Sequence, residues 1–185
     1  MARTILFQTV MDALLDDQTP FPARYLHRFS DITPPDLATL QKTWTSVSQQ
    51  RKHTLLEDLE DLAETDTLTN FGDMARTLLG DADPQVRISA IRLLWEDEDF
   101  RLASIFLNIM EKDEEIAVRA AAANALGLFV YQGELEKISA QLHHRIEDKL
   151  LQTATTAKDA LLRRRALESL GYSGREEVIP LISSA

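Results

Sequence analysis

The chain has 185 residues and no cysteine, which removes disulfides, thiolate metal sites and thiol nucleophiles. Its formal charge is −10, and acids outnumber bases both in residues 1–80 (12 to 7) and in residues 81–185 (18 to 13). A nucleic-acid binder needs a basic stripe to displace counterions, so nucleic acid is not an expected partner.

With only six Gly and six Pro, and with Ala, Leu, Glu and Arg abundant, the composition is that of a mostly helical chain. The alternating Val, Ile and Thr of strands is missing. The segment Met1–Gln8 has one early Arg and no long apolar core, and Asp12, Asp16 and Asp17 follow within a signal peptide's span. No stretch approaches the roughly 20 apolar residues that cross a bilayer. A soluble, cytoplasmic protein without a membrane partner is expected.

In chain order, Thr4–Leu15 and Ala23–Phe29 read as a short helical cap within residues 1–30, separated by Pro20-Phe21-Pro22. A degenerate two-helix unit follows over 34–66, with Pro35–Trp44 and Gln49–Ala63 capped by Thr33 and Ser48. Three clearer units occupy 70–95, 100–131 and 134–171. Their helices are Asn70–Leu79 with Pro84–Trp95, Phe100–Met110 with Glu115–Tyr131, and Glu134–Leu151 with Asp159–Leu170. Gly133 is expected as a C-cap, and Thr153-Ala154-Thr155-Thr156 as a loop. Residues 175–185 give only the first helix of a further unit, Glu176–Ile182, whose Val178, Ile179, Leu181 and Ile182 make a poor polar cap. This is the pattern of a piece of a longer repeat protein. A homodimer through the open end, or a last helix folded back, are the alternatives.

The three clear units share one pattern: Val86-Arg87-x-x-Ala90-x-x-x-Leu94, Val118-Arg119-x-x-Ala122-x-x-x-Leu126 and Leu162-Arg163-x-x-Ala166-x-x-x-Leu170. The Arg recurs at intervals of 32 and 44, the spacing of two-helix repeats. An acidic turn precedes each: Asp81 and Asp83 before Arg87, Asp113 before Arg119, Asp159 before Arg163. These residues resemble the HEAT repeat, in the variant of the bacterial phycobilisome-lyase-like HEAT proteins, well over residues 70–185 and loosely over 34–66. The resemblance implies an all-α, right-handed α-α superhelix of the HEAT/armadillo kind. One solenoid domain over 1–185 would then hold about four helix pairs and the N-terminal cap. It also implies that turn Asp and helix B Arg residues form a charged network along the stack, and that helix B lines an inner wall.

On helix B, counting from the Arg, positions −1, +3, +4 and +7 form the core stripe. Positions +1, +2 and +5 point away from it. They make a candidate partner-binding strip of Ile88, Ser89 and Arg92, then Ala120, Ala121 and Asn124, then Arg164, Arg165 and Glu168. The run Ala120-Ala121-Ala122-Ala123 offers a shallow place for a partner backbone, or only helix propensity.

Other clusters read as structural. His143 with Glu147, and His144 with Asp148, have zinc-compatible spacing, but two ligands do not make a site, and a solvated helix face is expected. No partner for His53 or His27 is visible nearby. Glu96-Asp97-Glu98-Asp99 is a solvated turn that caps the next helix, and Glu57-Asp58-x-Glu60-Asp61 faces water. Trp44, Trp95 and Phe129-Val130-Tyr131 are expected to pack. No catalytic triad order, phosphate loop or Cys-His pair occurs, so neither catalytic residues, a cofactor nor a metal site is expected. A non-catalytic scaffold for another protein, with a basic or helical segment, is the expected function. A HEAT-type bilin lyase or isomerase and a HEAT-like DNA-base-excision enzyme are the alternatives.

Overall fold

The computed structural model describes residues 5–183; the expected start of the first helix at Thr4, and Ser184 and Ala185, lie outside them. The described residues form helices and the turns that join them, with no strand among them, and fall into two compact units that divide between Leu94 and Trp95.

The first unit runs α1 (Phe7–Leu15), a 3-10 helix (Ala23–Phe29), α2 (Pro34–Trp44), α3 (Gln49–Thr65), α4 (Gly72–Leu78) and α5 (Pro84–Arg92). Local chemistry starts several of these helices. Thr33 Oγ1 accepts from the Asp36 amide, Ser48 Oγ from Arg51 and Asp83 Oδ1 from Gln85, each satisfying an amide that the helix leaves open. Prolines stand in the first turns of α2 and α5, where no amide is lost. α1 buries Phe7, Val10, Met11 and Leu14, a 3–4 spacing that turns one face to α2 and the 3-10 helix and into a core shared with Phe29, Leu40, Leu55, Leu59 and Met74. Phe7 meets Phe29 edge-on, with ring centroids 5.9 Å apart. Helix α3 packs on α5 and α2 on α4, so like lies on like: the second helices of the pairs, here called inner after the HEAT resemblance, together, and the first helices, called outer, together. The buried Arg51 of α3 donates to the carbonyls of Asp16 and Thr19 and so ties down the segment after α1.

The second unit consists of α6 (Arg101–Lys112), α7 (Ile116–Glu134), α8 (Ala140–Thr156), α9 (Ala160–Leu170), a 3-10 turn (Glu176–Val178) and α10 (Ile179–Ser183). Asp99 Oδ1 accepts from the Arg101 amide ahead of α6, as the acidic turn predicts; Ser139 caps α8 and Asp159 caps α9. Helix α7 touches α6, α8 and α9, most extensively α9, and is apolar nearly all round because it is covered on three sides. The same inner-on-inner (α7–α9) and outer-on-outer (α6–α8) contacts recur here.

Several sequence expectations fail on tertiary grounds. Gly133 does not end a helix: α7 continues to Glu134, and Gly133 is buried with the His143 ring where a Cβ would stand. The glycine is there for close approach rather than for a left-handed turn. The Thr153–Thr156 run is the last turn of α8, its Thr153, Thr155 and Thr156 hydroxyls donating to carbonyls four residues back. Trp95 and Tyr131 are exposed, whereas Trp44, Phe129 and Val130 are buried as expected.

His53 does have a partner, thirty residues away in sequence: its Nε2 lies 2.6 Å from Asp83 Oδ2. Burial alone would raise the Asp83 carboxyl, but the bond to His53 and the amide of Gln85 outweigh it and hold the group below its ordinary value. A carboxylate whose folded pKa is depressed stabilises the fold above its unfolded pKa of about 3.9, and that contribution is lost as pH falls through the folded pKa. Asp83→Asn should therefore be less stable than wild type at pH 7, and the gap should close on acidification below about pH 4. Urea unfolding across that range measures it; a gap independent of pH would count against the pairing.

Candidate functional site

In the second unit a cleft of about 800 Å³ opens at the C-terminal halves of the inner helices α7 and α9. Asn124, Ala125, Gly127, Leu128 and Tyr131 of α7 line it, with Glu168 and Ser169 of α9, Tyr172 beyond α9, and Trp95, Glu96 and Glu98 from the segment before α6. Its volume falls in the range of sites that seat a small ligand or a short peptide segment.

The floor consists of small residues because two helices nearly touch there. A Cβ on Gly127 would stand 3.1 Å from Ser169 Oγ, and that buried hydroxyl donates to the Ala123 carbonyl at 2.8 Å. Small side chains at the contact let α9 close on α7 and leave the larger residues at the rim. Those residues are aromatic and exposed: Trp95 at 60%, Tyr172 at 59% and Tyr131 at 47%. Tyr131 and Tyr172 meet edge-on, with centroids 5.9 Å apart.

The charge around the rim is mixed. Arg164 Nε and Arg165 Nη1 donate to Glu168 at 2.7 and 2.8 Å and hold its carboxyl below the usual range. Glu98 lies 3.5 Å from Lys137. Glu96 adds a third carboxylate, and the last carbonyls of α9 add partial negative charge beside Tyr172. Three exposed aromatic side chains and three carboxylates around one cleft are groups that attract a cation, the rings through their quadrupole and the acids through charge.

The nine strip residues predicted from the helical wheel divide between the units. In the first, Ile88 and Ser89 are buried, and only Arg92 stands out, 3.5 Å from Glu60. In the second, Ala120 is buried with Ala122 and Ala123, Ala121 is half-buried, and Asn124 is exposed. The proposed shallow place over the alanine run is therefore largely closed, and the small-residue floor of the cleft lies further along at Ala125 and the buried Gly127. Asn124 and Glu168 line the cleft, and Arg164 and Arg165 reach it through Glu168. The sequence reading missed Trp95, Tyr131 and Tyr172 as surface groups.

The three repeated arginines address the main chain. Arg87 Nη1 donates to the Asp81 and Ala82 carbonyls, Arg163 Nη1 to those of Ala157 and Lys158, and Arg119 Nε to that of Met110. Each clamps the turn, or the end of the outer helix, that precedes its own helix. The turn aspartates serve as caps and local braces: Asp83 and Asp159 cap helices, Asp113 accepts from the Glu115 amide, and Asp81 accepts from the Asp83 amide. Asp81 also takes the Trp44 indole and Lys52.

No helix among the described residues is long and apolar enough to cross a membrane. A family model for HEAT repeats matches residues 73–145, a span that holds α4 to α7 almost whole and includes Arg87 and Arg119. Comparison with curated proteins and with solved structures gives no match.

Proposed function

We propose that this chain, whose residues 73–145 match a family model for HEAT repeats, is a non-catalytic interaction module whose second unit receives a basic segment of another protein. HEAT repeats generally serve as protein-binding scaffolds. The observation that carries the reading is the rim of Trp95, Tyr131 and Tyr172 beside Glu96 and Glu98. Exposed aromatic side chains around one concavity are the usual anchors of a protein interface. A Lys or Arg side chain of the partner would enter between the rings, with its backbone over the Ala125–Gly127 floor. The net charge of −10 speeds capture of such a segment and makes it salt-dependent.

A peptide-library selection on the full chain, at low and at high salt, tests this. Retained peptides should be rich in Lys and Arg and should weaken with salt. Trp95→Ala or Tyr172→Ala should each cost about 2 kcal/mol of binding, roughly thirtyfold, without loss of fold, because both side chains are exposed. Selection of neutral or acidic peptides, or undiminished binding by both variants, would sink the proposal.

A further inference from the structure

Away from the cleft, the second unit gathers three ligand-type side chains that the sequence does not place together. Glu134 ends α7, while His143 and Glu147 lie one turn apart on α8. One ligand atom from each falls within 4.8 Å of the other two. His143 Nε2 stands 3.7 Å from Glu134 Oε1 and 3.5 Å from Glu147 Oε1.

These separations are too wide for hydrogen bonds, which close near 2.9–3.0 Å, roughly the usual N–H···O distance. His143 is only 9% exposed, and its Nε2 is shut off from water without a hydrogen-bond partner. The Glu147 side chain, at 1% exposure, is buried beside it. A buried ring nitrogen aimed between two carboxylate oxygens and bonded to neither is costly as it stands. A tetrahedral metal with bonds of about 2.0–2.1 Å sets its ligand atoms about 3.3–3.4 Å apart, close to the two spacings that His143 Nε2 makes here.

The surroundings hold the ligands in place. The Gly174 amide donates to Glu134 Oε1 at 2.8 Å, and the Ser173 hydroxyl donates to Glu147 Oε1. Each ligand oxygen keeps a second lone pair. The glycine at 133 lets the imidazole lie against α7; any larger residue would collide with the ring. Arg175 Nη1 is 3.9 Å from Glu147 Oε2, on the carboxylate's other oxygen, and bonds Asp148 at 2.6 Å.

We propose that Glu134, His143 and Glu147 bind one divalent metal ion of the zinc type, with a fourth position open on the Glu134 side. The ion would fasten α7 to α8, and the proposal stands independently of what the cleft binds. The full chain, stripped with a chelator and titrated with Zn2+ in a calorimeter, should take up one ion. Its thermal midpoint should rise with Zn2+ and not with Mg2+, which prefers six oxygen ligands. Glu134 is exposed, so Glu134→Gln should keep the fold and weaken Zn2+ binding at least about tenfold, as His143→Ala should. His144→Ala removes the exposed neighbouring imidazole and should leave the affinity unchanged. No Zn2+ uptake by the wild-type chain, unaltered affinity in Glu134→Gln, or an equal loss in His144→Ala would overturn the assignment.

Discussion

Phe129→Ala should destabilise the protein by about 3–5 kcal/mol, the usual cost of removing a buried aromatic ring. Phe129 has no exposed surface and sits on α7, the helix packed on three sides. Its ring lies 6.3 Å from that of Phe106 on α6, tilted by 55°. Truncation deletes that pair and opens a void in a helix that α6, α8 and α9 hold in place. Such a wall relaxes little, so the cavity term should be near its full size. Thermal or urea unfolding of the variant measures the loss. A cost under about 1 kcal/mol would mean that α7 is not the centre of the second unit.

Where helices begin was legible because the signals are local. Thr33 before two prolines, Ser48, Asp83 before Pro84, and Asp159 each carry their cap within three residues, and each helix starts there. The core stripe was legible for the same reason: Val86, Ala90, Val118, Ala122, Leu162 and Ala166 recur at fixed angles, and all are buried.

Features set by a distant partner were not legible. Gly133 has the sequence look of a helix end, yet an imidazole ten residues on decides its role. His53 finds its carboxylate at the N-cap of α5, and His143 finds a second carboxylate neighbour at the end of α7. The binding strip failed in part because a helical wheel divides a helix into an inward and an outward side. Inner helices also lie flank to flank, as α3 with α5 and α7 with α9, and such contact also takes up positions beside the core stripe; Ile88, Ser89 and Ala120 are buried. Trp95 sits where the chain has left α5, so the expectation that a helix-end Trp packs between units does not reach it. The repeated arginines were expected among carboxylates, but at that position the guanidinium also faces the open carbonyls of the preceding turn.

Asp81→Ala is the second substitution with a large expected cost, again about 3–5 kcal/mol, because it strips one partner from a nearly buried charge pair. Lys52 Nζ lies 3.4 Å from Asp81 Oδ2, with only 12% and 9% of the two side chains exposed. The same oxygen accepts the Trp44 indole N–H at 2.7 Å, and Lys52 stands 5.1 Å from the centroid of the Trp44 ring. One carboxylate thus gathers α2, α3 and the turn before α5. Without it, an ammonium and an indole N–H are both left in a dry site, and the Asp83 amide loses the acceptor at Asp81 Oδ1. The ring face beside Lys52 offsets little of this, since such contacts contribute about 0.5–2 kcal/mol and the contact is already present in the wild type. Asp81→Asn separates charge from shape: it keeps an acceptor for Trp44 or the Asp83 amide but not the ion pair. It should fall between wild type and Ala. Unfolding of the three proteins at pH 7 decides the matter. Equal stability of the Asn variant and wild type would show that the hydrogen bonds alone matter, and a loss below about 1 kcal/mol in Asp81→Ala would place the pair in solvent.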